Sequence, residues 1–229
     1  MEFADPLRDA NFAKRINRFL ASVQIDGREE YAHVPNSGRM AELLTAGRSI
    51  KLREKKSRTR KTQYDLCLVD FNGFWVSIDA RLPGILFAES IGKSAFPNFA
   101  GYSLLKREIT YRSSRFDLLL KRGRKRCLVE TKSVTLVDEG MALFPDAPTA
   151  RGTRHILDLT EAIGDGYEAL LVFICQRGDA RFLSPNKSTD PRFAESLKKG
   201  YSVGLNVFAF NCEVNEKEIN LKDHIPVIL

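Results

Sequence analysis

Phe116-Asp117-Leu118-Leu119-Leu120-Lys121-Arg122-Gly123-Arg124-Lys125-Arg126-Cys127-Leu128-Val129-Glu130-Thr131-Lys132-Ser133-Val134 reads as two β-strands joined by a tight turn. In Arg122-Gly123-Arg124-Lys125 the glycine takes the first central position, where a two-residue type II′ connection needs a positive φ. Arg122 then opposes Lys125, and counting back along both strands sets Asp117 opposite Glu130. Lys132 stands two residues beyond Glu130, so strand alternation returns its side chain to that face. Two carboxylates about 5 Å apart repel by roughly 3 kcal/mol at an effective dielectric near 20. A divalent cation offsets that repulsion; Mg²⁺ (or Mn²⁺) takes a few carboxylate oxygens together with water and phosphate oxygens. Lys132 would then position a water or stabilise developing charge. The same trio also suits a salt-bridged ladder in which Lys132 neutralises its neighbours.

Outward from the hairpin the pattern is α/β. A short helix at 85–91 and a strand at 108–111 are expected before it, with 115–121 and 126–135 as its own strands. A helix at 154–163 carries the apolar stripe Ile156, Leu159, Ala162, Ile163. The apolar run 169–175 follows as a buried strand, so strand, helix and strand predict a parallel crossover. Asp190 as cap and Pro191 at the first helical position open a last helix that closes at Gly200, before a strand at 203–214. Upstream, strands are expected at 16–25, 29–34, 48–54, 63–71 and 74–79, with a helix at 39–45 entered through Asn36 and Ser37. Five strands and one helix suggest a small oligonucleotide-binding type of barrel, although the helix follows the second strand rather than the third. Arg81-Leu82-Pro83-Gly84 marks a turn, dividing the chain into 1–84 and 85–229.

Composition restricts the function classes. The 229 residues are 43% hydrophobic and 28% charged, enough for a proper core. Lys and Arg number 36 against 29 Asp and Glu, a formal charge of +7 that favours polyanionic partners. The run 169–175 is far shorter than the roughly 20 residues of a membrane span, and Glu2 and Asp5 stand where a secretory signal would be apolar. A cytoplasmic protein without membrane contact is expected. Cys67, Cys127, Cys175 and Cys212 lie singly in apolar runs, which suits buried reduced thiols. Walker, nucleophile-elbow, dinucleotide-binding and zinc-protease motifs do not occur.

Two basic clusters are candidate phosphate contacts: Lys51, Arg53, Lys55, Lys56, Arg58, Arg60 and Lys61, and, at the hairpin tip, Lys121, Arg122, Arg124, Lys125 and Arg126. Arg151, Arg154 and His155 gather near a helix start, where backbone amides also favour anions. Solvated loops and helix solvation account for the same residues. His33 is assigned no chemistry.

Ala32-His33-Val34-Pro35-Asn36-Ser37-Gly38-Arg39-Met40, Ser114-Arg115-Phe116-Asp117, Glu130-Thr131-Lys132-Ser133-Val134-Thr135-Leu136 and Phe144-Pro145-Asp146-Ala147 resemble the sugar fermentation stimulation protein family over nearly the whole chain. The resemblance implies an OB-like β-barrel joined to a restriction-endonuclease-like α/β domain with a mixed sheet, and association with DNA. Carried over, Asp117 matches the nuclease motif's first acid, Glu130 the second and Lys132 its lysine. Phe116 stands where the wider nuclease pattern often has proline, and Arg112 and Pro148 are further departures. Glu108 and Glu89 are additional candidate metal-site acids. The expectation is a DNA-binding protein whose Mg²⁺ or Mn²⁺ site, Asp117, Glu130 and Glu108, hydrolyses phosphodiesters. A non-catalytic, sequence-tolerant DNA-binding regulator linked to sugar metabolism is the alternative, and RNA binding a third.

Overall fold

The computed structural model describes residues 1–3, 5–55, 60, 62–93 and 95–229. Its first unit contains β1 (Arg8–Asn17), β2 (Leu20–Ile25), β3 (Arg28–His33), β4 (Ser49–Glu54), β5 (Tyr64–Phe71) and β6 (Phe74–Ser77). The order β3-β2-β1-β4-β5 closes on itself through a parallel β3–β5 pairing, Ala32↔Tyr64 and His33↔Asp65, making a five-stranded OB-like barrel. β6 hangs on as a hairpin through Asn72-Gly73, both at positive φ, as a two-residue turn demands. Phe12, Val23, Ala32, Ile50, Leu52 and Leu66 fill the interior.

Two expectations in this unit are corrected. The strand expected at 16–25 is a hairpin, β1 and β2, turning at Arg18-Phe19, and β1 begins much earlier than anticipated. Only Ala10 and Phe12 of β1 are buried, so an outward-facing run of Arg, Asn and Lys hides its period from a hydrophobicity reading. The helix expected at 39–45 does not form: a single turn has Leu43 N and Leu44 N donating to Met40 O at 3.1 and 2.9 Å, with Met40 at φ 48°. One turn gains too few bonds to propagate, and the segment instead buries Met40 and Leu43 in the barrel core.

The second unit contains α1 (Pro83–Gly92), β7 (Ser103–Tyr111), β8 (Ser114–Arg122), β9 (Lys125–Val134), β10 (Val137–Asp138), β11 (Met141–Phe144), α2 (Ala150–Gly164), β12 (Glu168–Cys175), β13 (Phe182–Pro185), α3 (Pro191–Ser202), β14 (Asn206–Val214) and β15 (Ile219–Ile225). The main sheet, β15-β14-β12-β9-β8-β7, is mixed: β9, β12 and β14 are parallel, the expected crossover, and the outer strands antiparallel. Side chains of β12 are buried on both faces, the usual fate of a central parallel strand. Leu86, Phe87 and Ile91 of α1 cover one face, against Leu118, Leu120 and Val129. Ile156 and Leu159 of α2 and Phe193 and Leu197 of α3 cover the other, against Leu128, Leu171 and Phe173. The final strand expected at 203–214 begins at Asn206, because α3 runs to Ser202 and Gly204 turns the chain at φ 108°. β15 and the small sheet β10-β11-β13 are additions, either polar and edge-lying or too short to show a period. All four cysteines are buried and free, and burial pushes the Cys67 thiol up to about 11.

Asp190 caps α3 as expected, accepting Phe193 N at 2.9 Å, and its second oxygen accepts Thr149 N, the cap of α2, at 2.8 Å. Asp190→Ala therefore disconnects two helix starts and is expected to cost about 1–2 kcal/mol in urea unfolding, with Asp190→Asn near wild type. Equal losses in both variants would refute the capping role.

The units are joined by buried polar groups. Gln176 Nε2 donates to Asp79 O at 3.2 Å and Ser133 Oγ at 2.8 Å, while Ser77 Oγ donates to its Oε1 at 3.2 Å. Asp146 Oδ2 accepts Met40 N at 3.2 Å, and a Cβ on Gly38 would come within 2.5 Å of that oxygen, so any side chain there would displace the Asp146 carboxylate. The chain start crosses over as well: Met1 and Phe3 donate backbone bonds to Ile219 and Lys217 beside β15.

Candidate metal centre and nucleic-acid cleft

Gly123 at φ 61° turns the β8–β9 hairpin, and the ladder runs from Arg122↔Lys125 to Leu118↔Val129 in the register read from the turn. The ladder ends there, one step short of the expected Asp117↔Glu130 pairing, because β9 leaves β8 and continues beside β12 as far as Val134. The parting strands leave Thr131 N without a β8 carbonyl, and the Asp117 carboxylate takes its place: Oδ2 accepts Thr131 N at 2.7 Å and Thr131 Oγ1 at 2.5 Å. On the far side of that carboxylate lies the first turn of α1, where a Cβ on Gly84 would sit 3.4 Å from the Asp117 Cβ.

Glu130 lies under α2. Its Oε1 accepts from Lys132 Nζ at 2.6 Å and His155 Nδ1 at 2.5 Å, whereas its Oε2 is buried without a hydrogen-bond partner among the described residues. Nε2 of His155 accepts Arg151 Nε at 3.3 Å, which leaves Nδ1 as the nitrogen that donates to Glu130. Burial raises the pKa of Asp117, and the charge of Glu130 raises it further; the Thr131 bonds and Lys132 oppose this without overcoming it. Burial also pushes Glu130 upward, but Lys132 and His155 outweigh it and the net shift is downward. The two acids are thus driven apart in acidity by one shared field.

These side chains line a cleft of about 1000 Å³ between the units. Its walls are the barrel segment at Asn36–Gly38, the start of α1, the β8–β9 fork and the stretch from Leu143 to Arg151. Asp117, Glu130 and Lys132 all line it, but the two acids are not the facing pair expected: Asp117 is held through Thr131 on the α1 side, and Glu130 with Lys132 lies under α2. Glu108 reaches the cleft but is two-thirds exposed and faces Arg115 at 3.4 Å; Glu89 lies by the N-terminal ammonium at 3.5 Å. Among the described residues no group of three His, Cys, Asp or Glu side chains is gathered to hold a metal.

The expected phosphate contacts are dispersed. Lys56, Arg58 and Lys61 lie outside the described residues. Lys51 is buried between Asp9 and Glu216 at 2.6 and 2.8 Å, Arg53 pairs with Asp79 at 3.1 Å, and Arg60 pairs with Asp65; Lys55 donates its backbone N–H to Gln63. Arg122 and Lys125 face Glu168 at 2.9 and 3.7 Å, and Arg124 is exposed at the same tip. That tip is five residues along the strand from Asp117, about 17 Å away. Arg151 lines the cleft, whereas Arg154 points to solvent one helical step away.

Arg18, Arg81 and Arg107 line the cleft without having been anticipated. Asp79 accepts Arg81 Nε at 2.8 Å and Nη2 at 2.6 Å, Asp65 accepts the same Nη2 at 2.9 Å, and the fork is held with half its side chain exposed. His155, expected to face an anion, is 1% exposed behind Glu130. Its spacing from Leu159 and Ala162 already put it on the apolar face of α2.

The model of the sugar fermentation stimulation protein RE domain matches residues 81–218, and that of the SfsA N-terminal OB domain matches residues 13–78. The chain belongs to the sugar fermentation stimulation protein family. A sugar fermentation stimulation protein homolog of Desulforamulus reducens is 44% identical over 223 residues, 97% of this chain and 93% of its own. The homolog of Acetivibrio thermocellus is 42% identical over 232 residues, the full length of both. SfsA of Pyrococcus furiosus, solved in complex with Ca²⁺, superposes with a TM-score of 0.92 at 34% identity, covering 100% of this chain and 98% of that one. Like that family member, the chain carries a barrel followed by an α/β unit. No helix among the described residues is long and apolar enough to cross a membrane.

Proposed function

We propose that the cleft binds DNA in the cytoplasm and that Asp117, Glu130 and Lys132 hydrolyse its phosphodiester bonds with a divalent cation, Mg²⁺ or Mn²⁺. The observation that carries this is Glu130 Oε2, a buried carboxylate oxygen with no partner among the described residues, in a cleft that Asp117 also lines. An orphaned oxygen of this kind costs free energy that a cation would recover. Both hydrogen bonds to Asp117 fall on Oδ2, which leaves Oδ1 for the same purpose. Two carboxylates suit Mg²⁺, which keeps waters and substrate phosphate oxygens in its remaining positions. The Ca²⁺ of the Pyrococcus furiosus relative is a hard, oxygen-seeking cation of the same kind. Glu108 could join only by leaving Arg115.

A cation held by Asp117 and Glu130 supplies Lewis-acid polarisation of the phosphodiester. His155 fixes the Glu130 carboxylate, and Thr131 fixes that of Asp117. The Lys132 ammonium, 2.6 Å from Glu130, would stabilise charge on the phosphoryl oxygens or hold the attacking water. Arg18, Arg107 and Arg151 would align the backbone, a sequence-tolerant mode of binding that weakens as salt rises, while Arg81 is held by Asp79 and Asp65.

A DNA-binding regulator without turnover is the second reading, favoured because Lys132 and His155 already satisfy Oε1 of Glu130. Purified protein incubated with duplex, single-stranded and branched DNA and Mg²⁺ or Mn²⁺ tests both. Cleavage that Asp117→Ala and Lys132→Ala abolish is expected. Cleavage surviving equally in both variants would refute the mechanism, and salt-sensitive binding without cleavage would favour the regulator.

A further inference from the structure

The β1–β2 turn, whose Arg18 lines the cleft, also carries a large exposed aromatic ring. Phe19 is 49% exposed, immediately after Arg18, which lines the cleft beside Asn36 and Ser37. Turns of two residues favour Gly, Asn or Asp, and an exposed phenyl ring there gains little for the fold.

The backbone beneath the ring is tied down. Asn17 Oδ1 accepts Phe19 N at 2.9 Å, and Phe19 O accepts Val34 N at 3.0 Å and His33 Nδ1 at 3.1 Å. Arg15 spends its guanidinium on carbonyls of both adjoining loops: Arg18 at 2.8 Å and Asn17 at 3.3 Å on the turn, and Asn36 at 3.1 Å, Gly38 at 2.6 Å and Arg39 at 2.6 Å on the cleft wall. The turn and the cleft wall are therefore stapled into one body. The His33 ring backs the phenyl ring in a stacked arrangement, centroids 6.2 Å apart and planes 26° from parallel. An exposed π-face on a tied-down backbone, beside a second ring and next to an arginine, matches an unpaired nucleobase: the ring would stack on the base while Arg18 meets its phosphate.

We propose that Phe19, backed by His33, is a stacking platform for an unpaired nucleobase of DNA entering the cleft. This rests on the DNA-binding reading above and narrows it to substrates with a single-stranded segment beside the scissile region.

Fluorescence anisotropy tests it with three labelled DNAs: a blunt duplex, the same duplex with an oligothymidylate tail, and the same duplex with an abasic tail of equal length. Wild type is expected to prefer the thymidylate tail to the abasic tail by about ten-fold. Phe19→Ala is expected to erase that preference, with blunt-duplex affinity and the salt slope unchanged, and Phe19→Trp to keep it. Circular dichroism of each variant checks the fold, which a half-exposed turn residue should not disturb. Equal affinity of wild type for both tails, or a uniform loss for all three DNAs in Phe19→Ala, would overturn the platform while leaving the DNA cleft standing. Absence of wild-type binding to any of the three would overturn both.

Discussion

Asp117→Asn is expected to make the metal-free protein more stable and the protein inactive. Because the Asp117 pKa is raised, this group favours the fold below the ordinary carboxylate range and loses that contribution as pH rises through its folded value. At neutral pH the buried carboxylate beside Glu130 therefore costs stability. Asparagine removes the charge and keeps an oxygen for Thr131 N, which donates at 2.7 Å. A gain of about 1 kcal/mol, or roughly 2–4 °C in Tm, is expected at pH 7. The gain should vanish in acid, where wild type is protonated as well.

Adding Mg²⁺, Mn²⁺ or Ca²⁺ should reverse the ranking. A cation at a hundred times its Kd stabilises by about 2.7 kcal/mol through binding linkage, and wild type should gain this while Asp117→Asn does not. Chelation with EDTA should return wild type to its metal-free Tm. DNA cleavage, where wild type shows it, should fall by roughly a thousand-fold or more in the variant. Scanning calorimetry from pH 4 to pH 8, with and without cation, separates these effects. A variant less stable than wild type without metal at pH 7, or one stabilised equally by the cation, would contradict the assigned centre.

Arg177→Ala should produce the largest loss of stability away from the cleft. Arg177 is 0% exposed. Its Nε and Nη2 meet both oxygens of Asp179 at 2.6 and 2.7 Å, and Nη1 donates to Thr135 O at 2.8 Å. The guanidinium also lies over the rings of Phe71 and Phe74 at 4.7 and 5.4 Å, which belong to the barrel. Alanine would strip Asp179 of its partner, orphan a carbonyl and open a hole at the junction of the units. Asp179 is 35% exposed and would be rehydrated, so the cost falls on the orphaned Thr135 carbonyl and the hole, together about 2–4 kcal/mol, a fall in Tm of roughly 10 °C here. Arg177→Lys should recover little, since an ammonium cannot hold the planar fork and stack at once. Urea unfolding gives the cost, and a loss below about 1 kcal/mol would show that the interface does not depend on this residue.

Local features are legible in the sequence. Gly123 fixed the hairpin turn and its observed register, Asp190 and Pro191 marked the start of α3, and the continuous apolar run of β12 marked a central strand. Where local and tertiary preferences conflict, the reading failed. Residues 39–45 have a cap and apolar spacing, yet Met40 and Leu43 are worth more inside the barrel than in one turn of helix. β1 was half missed because its exposed face is nearly all polar and two inward residues make a weak period.

Charge was the least readable property of all. Lys51, Arg53 and Arg60 sit in a conspicuous basic run, yet each meets a carboxylate brought from elsewhere. The cations that reach the cleft, Arg18 at a turn, Arg81 at a boundary and Arg107 on an edge strand, are isolated in the sequence. Backbone chirality and strand alternation act over a few residues, so the alignment of Glu130 with Lys132 was settled by the sequence alone. Ion pairing acts through space between segments far apart in the chain. Only the tertiary structure could therefore decide which arginines are spent, that His155 backs Glu130, and that one oxygen of that acid is left bare.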